Sequence, residues 1–306
     1  MNSNKIIFIV GPTAIGKSDV AVSLAEKING EIVSCDSMQI YKEIQISSNK
    51  PSAKMLQTVK HHLLDIASIT EKFDVAMYNR MALEVIADIQ SRQKIPIVVG
   101  GSGLYIQVLL DGIFEGSPRD EQLREALNQK VEDFGTEDLY EELKQKDPVV
   151  AQKIHFNDAK RIVRALEVIQ TEKRPLSEIQ KERNGLWDKC DVKYFGLTMD
   201  RKVLYEKINV RVDVMFKKGL FEEIKDLLDK PWSHTAAGLL SYKEIKGCVE
   251  GDYDFDEAKR LIKRNTRHYA KRQWTWFRRD QRIDWMTATH FKNSEAIAQR
   301  MKEQIL

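Results

Sequence analysis

Eight residues near the amino terminus, Gly11-Pro12-Thr13-Ala14-Ile15-Gly16-Lys17-Ser18, spell G-x-x-x-x-G-K-[ST], and this pattern restricts the fold more than any other stretch of the chain. It needs a strand before it and a helix after it. Lys5 to Val10 contains an apolar run suited to a buried strand, and Lys17 to Ile28 is a helix candidate. Average residue usage gives a chance match in about one per cent of chains this long, and the flanking elements lower that further. Glycines let the backbone wrap closely around phosphate, with N–H groups and a helix N-terminus facing the anion. Lys17 adds positive charge, and the Ser18 hydroxyl is a candidate ligand for Mg²⁺. Gly11 through Ser18 are therefore expected to hold a diphosphate or a larger phosphate group.

The first hundred residues alternate short apolar runs with longer amphipathic ones, the pattern of a parallel sheet flanked by helices. Further strands are expected at Glu31 to Cys35, His62 to Ile66, Ile95 to Val99 and, later, Tyr194 to Met199, with a helix at Val75 to Gln90. Between Gly112 and about Asp191 the text changes to Glu- and Lys-rich segments of helical spacing, broken near Gly135, at Pro148 and at Pro175. Past residue 200, helices are expected at Leu204 to Lys218, Leu220 to Leu228, Ser241 to Cys248 and Phe255 toward Phe277. The expected architecture is α/β: a P-loop NTPase-like parallel sheet flanked by helices, built from residues 1–112 and 190–306, with an all-helical insertion at 113–189.

Hydrophobic residues at 42% and charged ones at 31% argue against a disordered chain and against a membrane protein. Cys35, Cys190 and Cys248 fit neither a disulfide framework nor a zinc spacing, which points to a reducing compartment. The apolar run before Gly11 is too short for a signal sequence, so a cytoplasmic location is expected. Nothing in the sequence calls for more than a monomer. The net charge is only +3, but Lys259 to Arg282 carries ten Lys or Arg against one acid, with Tyr269, Trp274, Trp276 and Phe277 among them. That stretch suits nucleic acid.

The phosphate loop alone leaves open whether phosphate is transferred, hydrolysed or expelled, and a small-metabolite kinase is its default reading. Asp36 ends the second strand, on the side of an open α/β sheet where ligands bind, so it is a candidate proton acceptor from an attacking group. A plain turn-forming Asp and an Mg²⁺-associated carboxylate are its other readings. Gly100-Gly101-Ser102-Gly103-Leu104-Tyr105 ends another strand, and its glycines permit close approach of a ligand. His61 and His62 read as structural members of a strand, and Trp274 and Trp276 as core packing.

Taken together, these segments resemble the tRNA dimethylallyltransferase family. Its GPTxxGK[ST] loop, S-x-D-S-x-Q-[IV]-Y strand end, K-P, H-H-L-x-D and G-G-[TS]-G-L-Y segments are met at Gly11 to Ser18, Ser34 to Tyr41, Lys50-Pro51, His61 to Asp65 and Gly100 to Tyr105. Arg161 to Val168 is similar to its R-x-x-R-A-L-E-V segment. Arg211, Met215 and Gly219-Leu220 follow its R-x-x-x-M-x-x-x-G-[LF] spacing, and Ala270 to Arg278 resembles its A-K-R-Q-x-T-W-[FL]-R terminus. The chain departs from the family at Met38, at Ser102 in place of Thr, and at Ser47-Ser48-Asn49.

The resemblance implies transfer of a dimethylallyl group from dimethylallyl diphosphate to N6 of an adenine beside the tRNA anticodon, with Mg²⁺ as cofactor. It implies Asp36 as base, and Lys17, Ser18 and Arg211 as stabilisers of the departing diphosphate. Contacts to the tRNA anticodon stem-loop are implied for Asp36, Ser37, Met38, Gln39, Ser102, Arg124, Lys160, Arg161, Ile162, Val163 and Arg164, with Ser102 also facing the reacting base. An adenine-nucleotide isopentenyltransferase, a small-metabolite P-loop kinase and an RNA-binding module with an idle loop stand as rivals.

Overall fold

The computed structural model describes residues 4–114 and 120–305. Residues 115–119 of the expected insertion, and residues 1–3 and 306 of the expected sheet domain, lie outside the described residues. The chain divides into two compact units, Met1–Leu110 with Leu186–Leu306, and Asp111–Gly185 between them.

In the first unit, β1 (Lys5–Val10), β2 (Gly30–Cys35), β3 (His61–His62), β4 (Ile95–Gly100), β5 (Asp191–Thr198) and β6 (Asp284–Thr287) form one six-stranded sheet. Its order is β3-β2-β4-β1-β5-β6 and every pairing is parallel. The central strand β1 is apolar on both faces, as parallel strands covered by helices must be. Ile6, Phe8 and Val10 belong to one core cluster, and Ile7 and Ile9 to a second on the other face. The first cluster packs on α3 (Val75–Ser91) and α4 (Gly103–Asp111) through Tyr78, Ala82, Ile86 and Ile106. The second packs on α1 (Lys17–Ile28) and α14 (Ser294–Ile305) through Val20, Leu24, Ile297 and Met301. The remaining helices of this unit are α2 (Ala53–Thr58), α10 (Arg201–Lys217), α11 (Leu220–Lys225), α12 (Tyr242–Glu250) and α13 (Phe255–Phe277).

The strand expected over His62 to Ile66 is corrected: only His61 and His62 pair, with Ile32 and Val33. Leu63 at φ 61° and Asp65 at φ 56° leave the extended region, which ends the ladder. His62 has a structural role, its Nε2 lying 2.8 Å from the buried Glu31 carboxylate.

The second unit is helical where described: α5 (Glu121–Phe134), α6 (Glu137–Lys146), α7 (Pro148–Ala151), α8 (Ala159–Glu172) and α9 (Leu176–Ile179). Its own core is built from Leu127, Leu143, Val150, Ile162, Leu166 and neighbours. Asp120, Asp147 and Asp158 cap α5, α7 and α8 by accepting backbone N–H groups of the first turn.

Candidate active site

Strand register brings three loops to one edge of the sheet. Val10 and Cys35 each pair with Gly100, so the chain leaves β1, β2 and β4 side by side, carrying Gly11, Asp36 and Gly101. This is the edge where open α/β sheets bind ligands. A cleft of about 910 Å³ opens there, lined by Thr13, Lys17, Ser18, Asp36, Arg211 and Tyr269 among others.

The phosphate loop turns through left-handed backbone at Ala14 (φ 65°) and Gly16 (φ 101°), a conformation that only glycine adopts without steric cost. Such a turn directs backbone N–H groups toward an anion. Ile15 departs from the loop's lining: its side chain is buried in the second core cluster and anchors the loop. Lys17 opens α1, and its Nζ donates to the carbonyls of Gly11 and Pro12, both at 2.9 Å. Burial lowers its pKa to about 8; Asp36 opposes that shift and Arg211 adds to it. Arg211, on α10, is likewise lowered by burial while Asp36 raises it. Two cations and one carboxylate therefore interact within one cleft.

Asp36 is held where β2 ends. The buried Tyr78 hydroxyl donates to the Ser34 carbonyl at 3.0 Å, and Tyr78 stacks on Tyr105 with ring centroids 4.2 Å apart. The Asp36 Oδ1 accepts the Met38 N–H at 2.9 Å, and Ser102 Oγ accepts the Ser37 N–H at 3.1 Å, which ties the turns after β2 and β4 together. Gln39 serves the protein itself: its Oε1 accepts from Ser34 Oγ and its Nε2 donates to the Asn49 carbonyl. Among the described residues no group of three His, Cys, Asp or Glu side chains is placed to hold a metal alone. Ser18, the residue expected to contact a metal, lines the cleft, and a hard cation there would need further oxygen ligands from outside the protein.

Glu223 carries no local sequence signal, and Tyr269 stands out in the sequence only as one aromatic of the basic run. Tyr269 lines the cleft from α13; burial, followed by the Asp36 charge, raises its pKa, and a hydrogen bond with Ser102 opposes the shift. Glu223 on α11 receives the backbone N–H groups of Gln45, Ile46 and Ser47, at 2.7 to 2.9 Å, and the Ser47 hydroxyl. It thus fixes the loop whose Ser47, Ser48, Asn49 and Lys50 form the far wall of the cleft.

In the helical unit, Lys160, Arg161 and Arg164 are exposed on α8. The expectation for Ile162 and Val163 is corrected, since at 0% and 2% exposure they belong to the unit's core and their side chains cannot meet a partner. Arg124 and Arg164 each lie 3.0 Å from Oε2 of Glu167, a carboxylate only 1% exposed, in ion pairs without hydrogen-bond alignment.

The basic run is less open than its composition suggests. Lys259 and Lys263 pair with Asp213, Arg260 with Glu257, and Arg282 with Asp280. Arg272 lines the cleft, and Arg264, Lys271, Arg278 and Arg279 are exposed. Trp276 packs against the first core cluster, whereas Trp274 is half-buried with the Arg278 guanidinium 5.0 Å from its ring centre. Among the described residues no helix is long and apolar enough to cross a membrane.

Residues 39–280 match the family described as IPP transferase. The chain is 44% identical to the tRNA dimethylallyltransferase of Carboxydothermus hydrogenoformans, over 99% of this chain and 97% of that protein. It is 40% identical to the enzyme of that name from Acetivibrio thermocellus, over 98% and 96%. Among solved structures, the full-length tRNA isopentenylpyrophosphate transferase of Bacillus halodurans superposes with a TM-score of 0.73 at 36% identity, covering 99% of this chain and 95% of that one. A eukaryotic dimethylallyltransferase acting on tRNA superposes with a TM-score of 0.82 at 27% identity, covering 97% and 77%.

Proposed function

The chain belongs to the IPP transferase family, and from that premise we propose that its cleft transfers a dimethylallyl group from dimethylallyl diphosphate to N6 of the adenine beside the tRNA anticodon. The observation that carries this reading is the convergence of Lys17, Asp36 and Arg211 on one cleft at the end of the phosphate loop. The phosphate loop grips the donor's diphosphate through backbone N–H groups and Lys17. Apolar side chains of Val210, Met215, Leu239 and Leu240 line the same cleft and suit a five-carbon allylic chain.

A new bond forms between the adenine N6 and the allylic carbon as the carbon–oxygen bond breaks. The electron pair of that bond leaves with the diphosphate, where Lys17 and Arg211 meet the growing negative charge. The N6 proton passes to the Asp36 carboxylate, because an amino group conjugated with a purine ring is a weak nucleophile until that proton departs. Tyr269 lines the cleft and is hydrogen-bonded to Ser102, and a flipped adenine would present its amino edge to that pair. Ser18 would hold Mg²⁺ beside the phosphate loop, and the ion would supply charge neutralisation on the diphosphate. Lys160, Arg161 and Arg164, with Arg124 behind them, contact the tRNA backbone.

The test is a substrate comparison. Purified protein is incubated with dimethylallyl diphosphate and either tRNA or AMP, ADP and ATP, and nucleosides are read by mass spectrometry. Prenylated adenosine in tRNA alone is the expected result. A prenylated mononucleotide with untouched tRNA supports the nucleotide-acting rival, and phosphoryl transfer from ATP without a prenyl product supports the kinase.

A further inference from the structure

We infer that Gln273 is a positioning residue whose buried side-chain amide locks the donor-binding phosphate loop to the acceptor-side turn at Gly101. Gln273 lies on α13 and is 5% exposed. Its Oε1 accepts the Thr13 N–H at 2.8 Å, and its Nε2 donates to the Gly101 carbonyl at 3.0 Å. The partners fix the amide's orientation, since Thr13 offers only a backbone donor there and Gly101 only an acceptor. A flipped amide would set donor against donor and acceptor against acceptor.

The bond pair sits where the sheet stops holding the loops. Val10 and Gly100 are neighbours in the ladder, but beyond them no strand pairing continues. Gly101 lacks a side chain at the point where the amide needs room: a Cβ there would fall 2.1 Å from Gln273 Nε2 and 3.6 Å from the Gly11 carbonyl oxygen. On one side of the clamp Thr13 lines the cleft. On the other, Gly101 precedes Ser102, whose hydroxyl receives the Ser37 N–H beside Asp36. One amide thereby sets the distance between the diphosphate and the adenine whose N6 attacks the allylic carbon, and misplacement by about 1 Å can cost roughly 10²-fold in rate. The acceptor half of this inference rests on the proposed reaction; the Thr13 half does not.

Gln273→Met keeps the length of the side chain and removes both bonds, and Gly101→Ala pushes the amide out from the other side. Backbone amide exchange at Thr13 should accelerate at least about tenfold in Gln273→Met, a readout independent of turnover. With activity normalised to the number of sites that bind inorganic diphosphate, kcat should fall roughly 10- to 100-fold while the KM for donor changes less than about threefold. The double variant should be no slower than the slower single one, because both changes break the same link. Unchanged exchange at Thr13 overturns the clamp whatever the activity. Wild-type kcat, multiplicative losses in the double variant, or a loss that vanishes on normalisation overturns its positioning role. Wild-type protein that leaves tRNA unalkylated refutes the reaction instead, with the Thr13 half still judged by exchange.

Discussion

Replacing Asp36 by Asn isolates the charge of the proposed base from its place in the fold. The Asp36 Oδ1 accepts the Met38 N–H at 2.9 Å, and an Asn Oδ1 accepts the same bond, so the turn after β2 should keep its shape. The amide cannot take the N6 proton. A positioned general base contributes about 10²- to 10⁴-fold, so kcat should fall by that factor, a barrier increase of roughly 3–5 kcal/mol. Binding should respond differently. Loss of the carboxylate removes a repulsion for diphosphate but also removes the influence that holds the Lys17 pKa up against burial and Arg211. The two effects oppose each other, and diphosphate affinity near neutral pH should move by less than about tenfold. Single-turnover assays with radiolabelled donor, alongside calorimetric titration with inorganic diphosphate and with tRNA, separate the steps. A variant that binds both ligands and retains kcat within about tenfold of wild type refutes Asp36 as the base.

Protonated Lys17 is the form that grips an anion, and its pKa is about 8, so inorganic diphosphate affinity should be steady at neutral pH and decline as pH rises through 8; an affinity flat from pH 7 to 10 contradicts this. In Asp36→Asn the decline should begin at lower pH, because one upward influence on Lys17 is gone. Glu223→Gln weakens the charge-assisted bonds that hold Gln45 to Ser47, so limited proteolysis should cut residues 45–50 faster and turnover should drop about tenfold. Lys160→Ala should lower the salt dependence of tRNA binding by roughly one unit of slope while leaving the donor KM unchanged. Ile162→Ala should instead lower stability by about 2–5 kcal/mol in denaturant unfolding, with the salt slope of tRNA binding unaltered.

Local chemistry made the sheet's centre and the phosphate loop readable. The run Ile6 to Val10 and the loop glycines depend on neighbours within a few residues, and the structure forms β1 at Lys5–Val10 and α1 at Lys17–Ile28 as expected. The edges were less readable. Strand β6 has one buried residue, Met286, in four, too short for alternation to register, and β3 is cut off by left-handed residues whose conformation Leu63 does not advertise. Helix α14 did carry a signal in Ile297, Ala298, Met301 and Ile305, which lie on one face. Within the site, Asp36 and Lys17 were visible because strand ends and motifs announce them. Glu223, Tyr269 and Gln273 were not assigned roles, because their partners lie more than 160 residues away in sequence. Ile162 and Val163 erred in the opposite direction: a motif contiguous in sequence is split by the helical period into exposed and buried faces.

The distribution of charge in the cleft fits the proposal that the phosphate loop here serves a departing group. A phosphoryl-transfer site surrounds the transferred phosphate with cations and positions a nucleophile against phosphorus. In this cleft the carboxylate of Asp36 is near enough to both Lys17 and Arg211 to perturb them, so an anion held by those cations lies close to a proton acceptor. Such proximity repels a bound polyanion in the ground state. In the proposed reaction it becomes favourable only as the N6 proton neutralises the carboxylate and the diphosphate gathers the electrons of the broken bond, since both cations would then act on the leaving group alone. Interactions that strengthen along the reaction raise kcat rather than tighten substrate binding. On the proposed mechanism the same triad of charges leaves diphosphate binding nearly unchanged while favouring the step in which the allylic carbon changes hands, which is the asymmetry a transferase of this kind requires.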